Sequence, residues 1–299
     1  FFARRQPEYV AQLADYVIAR FYPHLAAATD RYPRFFHEVA VRTAQLIAKW
    51  QAVGWAHGVM NTDNMSILGL TLDYGPFGFM DDYDAGFICN HSDHNGRYAF
   101  NQQPYIGLWN LSCLAQALLP LVEKDALKAV LESYQPLFDR EYLRLMRSKL
   151  GLQEERTEDD GLIRDLLGLL QESHTDYTIL FRELGSFSSA TGAANDKLRE
   201  HFVNRERFDS WAVRYRDRLR SENSQDAERR ERMNRVNPKY VLRNYLAQAA
   251  IEKAQQKDFS EIDRLFTLLQ NPYSDQPGME AYAAPPPNWG KHLAVSCSS

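Results

Sequence analysis

Apolar positions along the first fifty residues follow a helical period. Val10, Leu13, Val17, Ile18 and Phe21 recur at spacings of three and four, and Phe36, Val39, Ala40, Thr43, Leu46, Ile47 and Trp50 do the same. These predict two amphipathic helices, the second stopped by Gly54. The period then changes. "MSIL" and "LTLD" are short β-type runs broken at Gly69, the pattern of a small hairpin, and "YGPFG" after them is turn chemistry. Residues 81–104 show neither period and are rich in Asp, Asn, Gly and aromatics; an irregular stretch of that length inside a domain is usually functional or disordered. Helical patterning resumes over about 105–122, 125–148, 161–172, 175–184, 195–220 and 238–256, with another helix near 259–270. Pro238 suits the first turn of its helix, with Asn237 as N-cap. Residues 216–235 carry a dense run of both charge signs, expected to be a solvated helix or loop.

Composition narrows the class. At 299 residues, 44% hydrophobic and 25% charged, the chain has the make-up of one large globular domain or two small ones. A net charge of −4 offers no electrostatic case for nucleic acid or an anionic membrane as the main partner. No apolar run approaches the roughly 18–20 residues that span a bilayer. The opening "FFARRQPEYV" has neither a Met nor a targeting pattern, so the expectation is a chain that continues upstream. Cys89, Cys113 and Cys297 are too few and scattered for a secreted disulfide framework, which favours an intracellular protein.

The candidate chemistry lies in "HGVMNTDNMSILGLTLDYGPFG", residues 57–78. Asn64 and Asp73 flank the predicted hairpin, which would bring both side chains to one site. An amide oxygen plus a carboxylate is a poor zinc set. It suits a hard cation that keeps its waters and shares phosphate oxygens, meaning Mg²⁺ or Mn²⁺. Kinases hold their metals with this pair, the Asp of D-F-G and an Asn of the catalytic loop. Here "DYG" (73–75) takes the first place and "HGVMNTDN" (57–64) the second, but Val59 stands where a kinase has its catalytic Asp. Asp63 is the nearest replacement carboxylate. An isolated Asp-Asn pair is ordinarily turn chemistry, and a lone histidine is ordinarily a hydrogen-bonded core residue. His57 is therefore expected to hold the loop backbone.

The fold class expected is α+β, mainly α. A protein-kinase-like C-lobe over 1–235 would hold the catalytic loop, the metal-binding DYG and an activation-segment-like loop (81–104). Residues 236–299 would form a helical C-terminal extension with a Cys-containing tail.

The blocks "HGVMNTDNMSILGLTLDYGPFGFMDDYD", "ICNHSDHNGRYAFNQQP", "NPKYVLRN" and "VSCSS" closely resemble the selenoprotein O family of kinase-like protein adenylyltransferases. That resemblance implies ATP turned around in the cleft, and AMP transfer to Ser, Thr or Tyr hydroxyls of acceptor proteins with release of pyrophosphate. Some relatives use UTP. By position it implies Asp63 as proton acceptor, Asn64 and Asp73 as ligands of Mg²⁺ or Mn²⁺, and Asp73 as a nucleotide contact through the metal. It also implies a monomer, cytoplasmic in bacteria and mitochondrial in eukaryotic relatives. Eukaryotic members place selenocysteine where Cys297 stands, so Cys89 and Cys297 are expected to form a reversible disulfide. The family's N-lobe, with its Gly-rich loop and phosphate-binding Lys, is not found in this sequence, so the chain by itself is expected to be inactive and to bind nucleotide weakly. Two other readings compete. A pseudokinase-type scaffold would explain Val59 but not two retained metal ligands. A zinc hydrolase built on His91, Asp93 and His94 has no third ligand at motif spacing.

Overall fold

The computed structural model describes residues 6–296. As expected for a mainly α protein of α+β class, helices dominate. In chain order they are α1 (Pro7–Phe21), α2 (Arg31–Val53), α3 (Gln103–Leu118), α4 (Lys124–Lys149), α5 (Asp159–Ser173), α6 (Tyr177–Glu183), α7 (Asp196–Arg199), α8 (Arg205–Ser221), α9 (Asp226–Asn234), α10 (Asn244–Gln255) and α11 (Ser260–Leu269). The two N-terminal helices fall where the apolar period places them, and Gly54 ends α2 in the left-handed conformation that favours glycine. Among the described residues the only regular sheet is a pair of two-residue strands, β1 (Trp55–Ala56) antiparallel to β2 (Gly78–Phe79). No described helix is long and apolar enough to cross a membrane.

Two large apolar cores carry most of these elements, and a small third one, Leu246, Ala250 and Leu265, packs α10 on α11. One large core gathers Phe36, Ile47, Trp50, Ile106 and Tyr134 from α2, α3 and α4. The other gathers Leu166, Leu170, Phe181, Trp211 and Tyr215 from α5, α6 and α8. The candidate site hangs between them: Trp55 and Met60 are buried in the first core, Met80 and Tyr83 in the second. The segment between 55 and 83 is thus anchored at both ends by burial, while its middle stays open to solvent.

Four expectations need correction. The runs 65–68 and 70–73 do not form a ladder. A single antiparallel bridge joins Met65 to Thr71. The intervening groups bond elsewhere: Gly69 N–H donates to the Ser66 carbonyl (3.1 Å), and the Ile67 carbonyl accepts from the Tyr22 hydroxyl. The helix expected over 195–220 is broken between α7 and α8. Pro238 and Asn237 do not start a helix; α10 begins six residues after Pro238. Asn237 is fully buried and donates its side-chain N–H to the Lys149 carbonyl (2.9 Å), and the N–H groups of Lys239 and Tyr240 both reach the Pro272 carbonyl. Those bonds keep 237–243 out of a helix. Finally, the charge run is not wholly solvated. Arg218 is buried against Asp159 (2.7 Å), and Arg229 is buried with its guanidinium on Asp226 (2.6 Å) and the Phe187 carbonyl.

Lys149, at the end of α4, is 4% exposed, with its ammonium 4.2 Å from the Phe181 ring centre and 5.1 Å from that of Tyr177. Burial pushes its pKa down to about 7. In the unfolded chain a lysine titrates near ~10.4. Between those values the unfolded state binds the extra proton, so stability should climb as pH rises from about 7 to about 10; below that window both states are protonated and the penalty is complete. Lys149→Met should therefore raise stability at pH 6 by about 1–3 kcal/mol and flatten that slope. Denaturant melts across pH 6–10 check this, and an unchanged slope would refute it.

Candidate functional site

The loop 57–64 leaves β1 and is held by polar side chains from three directions. Gln103, fully buried on α3, accepts from the His57 backbone N–H (2.9 Å) and donates to the Trp55 carbonyl (3.0 Å). Asn110, one helical face along, donates to the Met60 carbonyl (2.9 Å). Asn90, from the 81–104 segment, donates to the Gly58 carbonyl (3.2 Å). Gly58 itself has φ +83°, and a Cβ there would lie 2.5 Å from the Pro76 carbonyl oxygen, so the close approach of the two loops requires glycine. Periodicity gave no warning that Gln103 and Asn110 hold this loop. Both are polar residues on an otherwise apolar helical face, and that mismatch is the signal that could have found them.

His57 is a bridge between loops, in keeping with the structural role expected for it. It is 1% exposed and packs against the rings of Trp50 and Trp55. Nδ1 accepts from the Val59 N–H (3.3 Å), so Nε2 carries the proton and donates to the Leu72 carbonyl (2.8 Å). Burial lowers its pKa, although the Leu72 carbonyl and the charge of Asp73 oppose this. A neutral ring therefore ties the first loop to the residue immediately before Asp73.

The Met65–Thr71 bridge closes the second loop. Bridged residues have Cα atoms about 4.5–5.5 Å apart. Asn64 lies one residue outside the bridge on one side and Asp73 two residues outside it on the other, so both lie at the open end of one short hairpin, and Asp63 precedes Asn64 in a 3-10 turn over Thr62–Asn64. The Asn64 side chain donates from Nδ2 to the Val59 carbonyl (3.1 Å), which leaves its Oδ1 as the atom available to a cation. Asp63 and Asp73 are exposed, and Asp73 has φ +54°. Two oxygen donors at one hairpin end, open to solvent, fit a hard divalent cation that completes its shell with water and phosphate. Among the described residues no group of three or more His, Cys, Asp or Glu side chains is placed to hold a metal.

The site is backed by the segment that leads into α10. Arg243, 1% exposed, pairs with Asp81 and with Asp176 (2.9 Å). Asp176 also caps α6 by accepting from the Ile179 N–H (2.9 Å). Asp81 lies two residues past β2. One guanidinium thus joins the residue before α10, the site segment and the cap of α6. Cys89 is buried beneath the first loop, with its thiol 3.5 Å from the Ala56 carbonyl, and burial pushes its pKa up to about 12. Cys297 lies outside the described residues. The tail does reach this region: the Val295 carbonyl accepts from the His91 N–H (2.7 Å).

Fold and site define a class, a mainly helical α+β protein that gathers Asp63, Asn64 and Asp73 on two cross-linked loops beside a minimal antiparallel sheet. The family model described as protein adenylyltransferase SelO matches residues 1–270, and the chain belongs to that family. It is 60% identical over 294 residues to the protein nucleotidyltransferase YdiU of Myxococcus xanthus, covering 98% of this chain and 60% of that protein. It is 54% identical to the protein of the same name from Thiobacillus denitrificans and 53% identical to that from Cronobacter sakazakii, in each case over 100% of this chain and 61% of the relative. The chain thus spans about three fifths of the length of these relatives. A match running over residues 1–270 gives no support to the expectation that the chain by itself is inactive.

Proposed function

We propose that the protein transfers AMP from ATP to hydroxyl groups of Ser, Thr or Tyr in acceptor proteins, with UTP as a further possible donor. The observation that carries this reading is the convergence of Asn64 and Asp73 at one hairpin end while Val59 replaces the kinase base. Asn64 Oδ1 and the Asp73 carboxylate would hold Mg²⁺ or Mn²⁺, which would supply the positive charge that offsets the triphosphate. Asp63, exposed on the adjoining turn, takes the proton of the acceptor hydroxyl. The hydroxyl oxygen forms a bond to the α-phosphorus, the bond from that phosphorus to the β-phosphate oxygen breaks, and pyrophosphate leaves. The neutral His57 keeps the two loops in register and does no proton transfer. The names of the relatives, each a protein nucleotidyltransferase, are consistent with this chemistry.

The test uses the full-length protein with ATP labelled at the α- or the γ-phosphate. Label from the α-position, but not the γ-position, should enter protein. Label only from the γ-position would make it a kinase; no label from either would favour a scaffold.

Cys89 and Cys297 are proposed to form a reversible disulfide, two thiols giving two electrons and two protons to an added oxidant such as oxidised glutathione. Cys89 sits against the first loop with a thiol held protonated, so its oxidation requires the 81–104 segment to open and should be slow. Mass spectrometry should find a peptide linking the two cysteines after oxidation, with reduced AMP transfer that reductant restores. Absence of that peptide, with activity indifferent to reductant, would sink the pairing.

A further inference from the structure

We propose that Arg97, Tyr105 and Trp109 form the docking surface for the acceptor protein, and that this surface takes a segment with a carboxylate a few residues from the modified hydroxyl. The inference rests on the reading of the site as one that transfers to protein hydroxyls.

The surface is built, not incidental. Asp93 accepts from the backbone N–H groups of Arg97 (2.9 Å) and Tyr98 (2.7 Å), closing a tight loop. That loop carries the Tyr98 hydroxyl to the Asn61 side-chain oxygen (2.5 Å). It also lays the Arg97 guanidinium on the indole of Trp109, 4.7 Å from the ring centre. On α3, Ile106 and Asn110 turn inward, while Tyr105 and Trp109, four residues apart, share the outer face. Tyr105 is 63% exposed and Trp109 39%. An exposed Tyr and Trp on one helical face, the Trp capped by an arginine, have the composition of an interface hot spot, where Trp, Tyr and Arg dominate.

Charge and position select the occupant. Among the described residues Arg97 makes no ion pair, although its guanidinium is exposed. A stacked guanidinium with free N–H donors is suited to bidentate capture of a carboxylate. The surrounding loops carry exposed carboxylates of their own, Asp63 and Asp73, which would repel an acidic segment. Arg97 supplies the attraction at a place set back from them. Asn61 and Asp63 are two residues apart, so their Cα atoms lie within about 7–8 Å. An extended segment advances about 3.3 Å per residue. A hydroxyl at Asp63 therefore leaves the flanking residues of an extended segment to run past the Asn61–Tyr98 contact toward Arg97, the neighbour of Tyr98.

The experiment compares two synthetic peptides with a single central Tyr, identical except for Glu or Lys at the flanking positions. AMP transfer from α-labelled ATP is measured with the full-length wild type, Arg97→Glu and Trp109→Ala. The wild type should favour the Glu peptide at least tenfold in kcat/KM. Arg97→Glu should reverse that preference, and Trp109→Ala should raise KM for both peptides. KM for ATP should stay within twofold in both variants. Equal use of both peptides, use of neither by an enzyme that still labels protein, or an unchanged preference in Arg97→Glu would overturn the inference. The unchanged preference is also the result expected if another part of the longer chain or a second copy covers the surface. A raised KM for ATP in Arg97→Glu would overturn it too, assigning Arg97 to the nucleotide. No AMP incorporation into any protein, the enzyme included, would overturn the transfer reading itself.

Discussion

Asp73→Asn in the full-length protein is expected to lower AMP transfer by about 10²–10³-fold, the usual cost of losing one preorganised charge-stabilising group. Asparagine is the informative replacement because Asp73 sits at φ +54°, a conformation that Asn tolerates and that strains most other residues. Asp73→Ala should do at least as much damage, but part of its effect would come from the backbone. Asn64→Ala removes the second oxygen donor and also the hydrogen bond to the Val59 carbonyl, so the turn that presents Asp63 would loosen as well. Its loss should be large, with a raised requirement for Mg²⁺. Asp63→Ala should cost less, since it removes a proton acceptor and leaves both metal ligands. Label transfer from α-labelled ATP at several metal concentrations separates these cases. Wild-type rates in Asp73→Asn would show that the metal ligands lie elsewhere.

Arg243→Ala is expected to destabilise the protein by about 3–5 kcal/mol, the range for breaking a buried pair by removing one partner. The guanidinium is almost wholly buried and faces two carboxylates. Its removal leaves Asp81 and Asp176 facing each other without a counter-charge. Asp176 is also the cap of α6, and its neighbour Asp82 bridges to it through the backbone, so the damage should spread along residues 81–83 and 175–177. Arg243→Lys should recover only part of the loss, because one ammonium cannot reproduce the fork that meets both acids. Denaturant unfolding of wild type and both variants reads the effect. A loss under 1 kcal/mol would mean that water replaces the pair at little cost.

The local features of this chain were legible because short-range physics decides them. The apolar period places α1 and α2, Gly54 supplies the left-handed cap, and the spacing from His57 through Asn64 to Asp73 marks the candidate site. The hairpin and the helix at Pro238 were misread for one shared reason. Local preference was outbid by groups far along the chain: the Tyr22 hydroxyl takes a carbonyl the ladder would have used, and Asn237, which could have capped a helix, instead donates to Lys149. The same holds for the charge run. Its composition reads as solvated, but Arg218 and Arg229 find buried acceptors that no local rule can anticipate. By itself, then, the sequence determines the helical class, the kind of side chain at the site and the family. Tertiary structure alone decides which loops are tied together: His57 to Leu72, Gln103 and Asn110 to the first loop, Arg243 to the segment behind the second, and Tyr98 to Asn61. Those ties join residues up to 162 apart, and hydrogen bonds and ion pairs depend on distance in space, which periodicity along a chain does not encode.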